Sequence, residues 1–273
     1  ILGWLLIFEC GFMLVPAITA IVFGEFSQLW SFLVTMLICG AIGGLCIWKK
    51  PRNRELYAKE GFVIVALSWI VMSLFGCIPF IVSGTIPSFV DALFETVSGF
   101  TTTGASILTE VESLPKCMIM WRSFTHWVGG MGVLVFIMAF VPLSGGQNMH
   151  IMKAESPGPS VSKLVPRVKT TALILYSIYL VMTFVLFIFL LFGDMTPFEA
   201  INTAFATAGT GGFAVYNDSF ISTSPYVQTV IAVFMILFGV NFSSYYLLWR
   251  RKWREMLSLE VRVFLGIVLA STA

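Results

Sequence analysis

Charge is what this sequence has least of. Only 11% of its 273 residues are Asp, Glu, Lys or Arg, against 58% hydrophobic and 15% aromatic. An ordinary soluble domain carries charge on about a quarter of its residues, so that class is excluded. Histidine is rarer still: His126 and His150 are the only two, and the spans between them place them on opposite sides of a membrane. No Ser/His/Asp set, phosphate-binding loop or His/Cys cluster with ligand spacing can be assembled, so an enzyme, a bound cofactor and a transition-metal site are not expected. The cysteines, Cys10, Cys39, Cys46, Cys77 and Cys117, show no CxxC pair and fall mostly in apolar runs. They read as small buried hydrophobes and not as a disulfide framework.

What is abundant is apolar sequence in runs of roughly 20 residues, enough to cross about 30 Å of hydrocarbon. Spans are expected at Ile1–Phe23, Trp30–Trp48, Gly61–Val82, Met118–Val141, Thr171–Phe192 and Tyr226–Trp249, with a seventh starting near Arg262. Ile1–Phe23 has no basic leader or small-residue cleavage site and reads as a retained helix. Both ends are expected to be truncated, because position 1 is Ile and the last run stops before it could span. Basic residues gather in three loops: Lys49, Lys50, Arg52, Arg54 and Lys59; Lys153, Lys163, Arg167 and Lys169; Arg250, Arg251, Lys252 and Arg254. If every span crosses, these loops share one face, and the positive-inside rule makes it cytoplasmic. The expected location is therefore the cytoplasmic (inner) membrane, multi-pass, with the N-terminus in the cytoplasm. Topology accounts for these basic loops without nucleic acid.

Two segments resist this scheme. Asp91–Phe100 and Phe198–Ala208 are too short to cross, and each runs into a polar Thr/Gly stretch: Thr101-Thr102-Thr103-Gly104 and Gly209-Thr210-Gly211-Gly212. Both must enter and leave from the outer side. Non-helical backbone at membrane depth is tolerated only where protein buries it or where it lines a water-filled cavity. A shift of about 108 residues aligns Asp91-Ala92-Leu93 with Glu199-Ala200-Ile201, Thr102 with Thr210 and Gly104 with Gly212. The expected fold is thus an all-α polytopic membrane protein of repeated helix–pore helix–filter loop–helix units, as in K⁺ channels, preceded by an extra transmembrane hairpin. The expected divisions are the hairpin at 1–50, a first unit at 61–152, a second at 166–252 and the start of a third at 260–273.

Successive backbone carbonyls can replace the hydration shell of a monovalent cation. Glycine permits the positive φ that points neighbouring carbonyls one way, and the C-terminus of the preceding short helix adds a partial negative charge. Neither loop contains a carboxylate, which suits K⁺ better than a divalent ion. The bland alternative is a polar external turn, since Gly and Thr are ordinary turn residues. Glu95 lies one turn before the first loop, where it would brace the loop or concentrate cations; Asn202 and Thr203 hold the matching place in the second. Arg122 and His126 are intramembrane groups and so functional candidates, with Glu95, Glu110 or Glu112 as structural partners. Gly129-Gly130-Met131-Gly132 reads as a close helix contact or a hinge, and Asn241 as a residue that caps a break or bonds a neighbour. Ser144–Pro166 reads as a cytoplasmic connector. Two rival functions stand beside the pore: a secondary transporter whose broken helices couple a solute or ion to Na⁺ or H⁺, and a non-transporting scaffold.

The stretches PSFVDALFETVSGFTTTGAS (87–106), WRSFTHWVGGMG (121–132), AESPG (154–158), PRVKTT (166–171) and FEAINTAFATAGTGGF (198–213) resemble the Trk/Ktr/HKT superfamily of K⁺ transporters, nearest its bacterial TrkH/TrkG type. The resemblance covers essentially the whole chain, and the extra hairpin favours TrkH over the shorter KtrB type. It implies four pseudo-equivalent repeats around one pore, each with a filter strand built on a glycine. That carries a K⁺-filter role to Thr101, Thr102, Thr103 and Gly104 and to Gly209, Thr210, Gly211 and Gly212. It also implies a homodimer, a lipid bilayer as surroundings and a cytoplasmic TrkA-like nucleotide-sensing ring protein as partner. In part of the superfamily a serine at the first filter glycine goes with Na⁺ permeation, so Gly104 and Gly212 point to K⁺. Only two repeats and the start of a third are present, so the chain as it stands is not expected to close a pore unaided.

Overall fold

The computed structural model describes residues 1–48, 58–132 and 168–272, and every regular element among them is a helix. A helix satisfies its own backbone groups, which hydrocarbon cannot do. Leu2–Val22, Phe26–Trp48, Phe62–Val82 and Thr170–Leu191 are each long and apolar enough to cross a bilayer, with mean hydropathy between 2.1 and 2.6. Their outward faces carry large apolar side chains such as Leu37, Trp48, Val181 and Phe192. Those faces suit lipid and not water. The chain is a multi-pass membrane protein.

Helices α1 (Leu2–Phe12) and α2 (Leu14–Val22) make the first span, broken slightly at Met13. The chain turns at Gly24 (φ +71°) into the antiparallel α3 (Phe26–Trp48). Small residues close this hairpin: a Cβ on Gly43 would lie 2.9 Å from the Gly3 carbonyl oxygen. Helix α4 (Ala58–Gly76) gives way to α5 (Ile78–Val82) at Cys77. Pro79 has no amide to offer the preceding turn, so the helix cannot run through unbroken. Cys39, Cys77 and Cys117 are buried, Cys10 is half-buried and Cys46 is exposed.

Helix α6 (Phe89–Phe100) is the first half-length helix, and α7 (Lys116–Gly130) is the centre of the molecule, buried from Cys117 through His126. The Glu25 carboxylate accepts from the amides of Lys116 (2.6 Å) and Cys117 (2.9 Å), pinning the start of α7 to the N-terminal hairpin. A carboxylate there also meets the positive end of the helix dipole. The Trp121 indole donates to the Gly76 carbonyl at 2.9 Å and meets Phe100 edge-on, which ties α4, α6 and α7 together.

The second part runs through α8 (Val168–Leu191), the half-length α9 (Pro197–Ala208), α10 (Pro225–Gly239), α11 (Phe242–Trp249), the short α12 (Trp253–Met256) and α13 (Leu259–Thr272). The span expected over Tyr226–Trp249 is broken, at the residue read as capping a break: α10 and α11 meet at 88° on either side of Val240–Asn241. Val240 is extended (ψ 139°), and the Asn241 side chain accepts from the Ser243 amide as the N-cap of α11. The Asn241 amide also donates to Glu260 at 3.3 Å. A Cβ on Gly239 would come within 2.8 Å of the Phe264 ring, so α13 fills the elbow. The expected span Met118–Val141 is described only as far as Gly132. The connector Ser144–Pro166, His150 and most of the first two basic loops lie outside the described residues.

Candidate functional site

Both short helices start on strong caps. Ser88 accepts from the Asp91 amide at the head of α6. At α9 Thr196 and Glu199 form a reciprocal capping box, with Pro197 in the first turn, where its missing amide costs nothing. Twelve residues rise only about 18 Å, so neither helix crosses, and each ends inside the protein.

The endings match in detail. After α6 the Thr102 amide donates to Gly99 O (3.1 Å) and the Thr103 amide to Ser98 O (2.9 Å). After α9 the Thr210 amide donates to Thr207 O (2.9 Å) and the Gly211 amide to Ala206 O (3.1 Å). This pair of bonds is the Schellman ending, whose left-handed residue is usually glycine. Here it is threonine both times, Thr102 and Thr210, each at φ +55°. Two residues on, Gly104 (φ +76°) and Gly212 (φ +79°) are left-handed again. A β-branched residue at positive φ is a genuine outlier, and strain of this kind gathers at functional sites. The loops touch each other: a Cβ built on Gly104 would overlap the Gly211 carbonyl oxygen.

Behind the first loop lies a buried ion pair. Glu95 accepts from Arg122 Nε at 2.7 Å, with both side chains almost wholly inaccessible. Glu95 also accepts from the Ser106 hydroxyl (3.0 Å) and the Ile107 amide (3.0 Å), so it holds the strand leaving the loop. Of the three carboxylates considered for Arg122, Glu95 is the partner. Glu112 instead accepts from the Asn217 amide (2.9 Å), while the Val111 amide donates to the Asn217 side chain (2.6 Å). Arg122 also reaches the second loop, with its guanidinium 4.2 Å from the Phe213 ring centre and one nitrogen 3.5 Å from the Ala214 carbonyl. His126 stacks on the same Phe213 ring at 4.0 Å.

Behind the second loop there is no matching charge among the described residues. Thr203 and Asn202 are fully buried on α9; Asn202 donates to the Phe198 carbonyl at 2.7 Å, and the Thr203 hydroxyl has no partner among the described residues. The glycine pair of α7 is a close contact. A Cβ on Gly129 would overlap the Phe100 carbonyl, and one on Gly130 would lie 2.7 Å from Gly209 Cα. Sequence reasoning missed Ser106, Phe213 and Ala214 as parts of this arrangement. Their one signal was a place just beyond each Thr/Gly stretch.

The α9 cap titrates. Partial burial works to raise the Glu199 carboxyl, but bonds from the Thr196 amide and hydroxyl and from Tyr216, with Lys116 nearby, hold it below the usual range. Burial first, and then the contact with Glu199, push the Tyr216 phenol up to about 12. A depressed carboxyl stabilises the fold fully above its unfolded value of about 4.3 and loses that contribution as pH falls through the folded value. The thermal midpoint of the detergent-solubilised protein is therefore expected to fall below about pH 4.3, less so in Glu199→Gln. Thr196→Ala should cost about 1 kcal/mol at neutral pH. Equal acid sensitivity in Glu199→Gln and wild type would show that the cap does not titrate.

Helices long and apolar enough to cross a bilayer, two half-length helices that are not, and a strained Thr/Gly turn at the end of each define the class: a polytopic helical membrane protein. The family model for TrkH, a cation transport protein, matches residues 29–264. The chain belongs to that family. It is 35% identical over 276 residues to the Trk system potassium uptake protein TrkH of Escherichia coli (strain K12), covering 98% of this chain and 56% of that protein. It is 33% identical over 274 residues to TrkG of the same strain, covering 95% and 56%. The crystal structure of the potassium transporter TrkH from Vibrio parahaemolyticus superposes with a TM-score of 0.75 at 31% identity, covering 89% of this chain and 49% of that one. The chain thus spans about half the length of the relatives it matches.

Proposed function

We propose that the chain forms part of a K⁺ uptake pathway across the cytoplasmic membrane, with Thr101–Gly104 and Gly209–Gly212 as two strands of its selectivity filter. The observation that carries this reading is the shared turn: threonine and glycine left-handed at matching places, each behind a half-length helix. Backbone carbonyls of the turns would replace water around K⁺, and the negative ends of α6 and α9 would favour a cation between them. Glu95, Arg122, Asn202 and Thr203 support the loops from behind and do not touch the ion. The divisions at 61–152 and 166–252 are two units of one repeat, the hairpin at 1–50 is an addition to them, and 260–273 opens a third. By likeness to Trk systems, further filter strands come from sequence beyond these units. A homodimer and a TrkA-like ring protein on the cytoplasmic side, where the N-terminus also lies, complete the assembly.

The test is ion flux through the complete protein in liposomes. A K⁺ gradient alone should drive K⁺ uptake, with Na⁺ strongly excluded and no need for a Na⁺ or pH gradient. Uptake that requires either gradient would replace the pore with a coupled carrier.

A further inference from the structure

The two loops share a backbone but not a composition. Positions 102 and 210 are both threonine, and 104 and 212 both glycine; yet 101 and 103 are threonine where 209 and 211 are glycine. Torsion does not explain the difference. Thr101 and Gly209 have nearly the same angles (φ −80° and −77°), and neither Thr103 nor Gly211 is left-handed. Any L-residue could adopt those conformations. The cause must be what lies next to each position.

Beside Thr101 and Thr103 there is room. The Thr101 and Thr103 hydroxyls are exposed and bond to each other at 2.8 Å, and Thr101 also donates to the Val97 carbonyl. Around the second loop there is His126. A Cβ on Gly209 would overlap the His126 carbonyl oxygen. A Cβ on Gly211 would run into the imidazole itself, whose Cε1, Nδ1 and Nε2 are its three nearest atoms. The imidazole is buried and stacked on Phe213 at an interplanar angle of 18°, so it has nowhere to swing. Interiors are close-packed, and a collision between a new Cβ and a wedged ring is relieved only by moving backbone.

We infer that His126 is a positioning residue for the second loop: its imidazole occupies the space a side chain at 211 would need and, with Phe213, fixes the loop backbone against α7. The inference rests on the reading of these loops as filter strands. On it, the glycines at 209 and 211 serve a neighbour, whereas Gly212 serves its own torsion and Gly104 serves both. Both loops are then set by one helix, the first through Arg122 and Glu95 and the second through His126 one turn later. A shift of α7 would be felt in both filter strands at once.

The experiment is a double-mutant cycle in the complete protein reconstituted in liposomes, read as K⁺/Na⁺ discrimination. Gly211→Ala alone is expected to lower discrimination on the order of tenfold, the size of coupling typical for residues in direct contact. In a His126→Ala background the same change should cost little, because the ring that blocked it is gone. Gly212→Ala is the control. Its Cβ would meet only Met235 Cε at 3.5 Å, so its penalty comes from φ and should be equal in both backgrounds. If Gly211→Ala yields no folded protein, recovery of a monodisperse peak on adding His126→Ala reads the same contact. Equal damage from Gly211→Ala in both backgrounds, with Gly212→Ala still harmful, would overturn the role of His126 and leave the filter standing. Indifference of discrimination to both glycine changes would overturn the filter reading, and this inference with it.

Discussion

Gly104→Asp is expected to abolish selective K⁺ uptake while leaving the helices of the protein in place. Three penalties coincide at this residue. Its φ of +76° is a left-handed backbone, which costs an L-residue such as Ala about 1–2 kcal/mol and Asp somewhat less. Its Cβ would overlap the Gly211 carbonyl, and overpacking of this kind adds about 1–3 kcal/mol. Together these depopulate the native loop by roughly 100-fold, at about 1.4 kcal/mol per tenfold. The third penalty is electrostatic: on the proposed filter reading, a carboxylate introduced among its neutral oxygens would hold K⁺ instead of passing it. Gly104→Ala separates the terms, because it carries the steric and torsional cost without the charge. Flux measured in liposomes should fall for both variants and further for Asp. Unchanged K⁺/Na⁺ discrimination in Gly104→Asp would remove Thr101–Gly104 from the filter.

Breaking the Glu95–Arg122 pair should have the largest effect on the fold. The two groups lie 2.7 Å apart and are almost wholly buried, so Arg122→Met leaves a carboxylate without its counter-charge. Such a loss costs about 3–5 kcal/mol. Glu95→Gln should be milder for the fold, since the amide oxygen can still accept one bond from Ser106 or Arg122. The double variant Glu95→Met/Arg122→Met is the informative one. Replacing a buried pair with apolar side chains is often neutral, so its thermal stability in detergent should recover most of what Arg122→Met loses. Its transport should not recover, because Ser106 and the Ile107 amide would still lack the acceptor that anchors the loop. A double variant that recovers both would reduce the pair to packing.

How much of this was legible in the sequence depended on distance along the chain. The half-length helices were visible because their polar endings interrupt apolar runs. Their starts were misjudged by one or two residues, since hydropathy says nothing of the Ser88 and Thr196 caps that begin them at Phe89 and Pro197. Arg122 could be narrowed to three carboxylates and no further. The choice falls to Glu95 because the chain folds back after Gly104 and sets Ser106 against it. His126 gave no sign of its neighbour, as nothing local ties it to a glycine in the next unit. The break at Val240–Asn241 was legible from Asn241, a polar residue read as capping it, but the 88° of the elbow was not, because apolar residues continue on both sides.

The place of α7 in the chain has a consequence for biosynthesis. The ribosome makes the first loop before Arg122 and the second loop after His126. A nascent chain ending at Lys116 holds Thr101–Gly104, Glu95 and its partners Ser106 and Ile107 but not Arg122, and a Glu95 without its counter-charge belongs in water and not in lipid. The first loop is therefore expected to settle only when α7 enters beside it, whereas the second would meet a wall already made as it emerges.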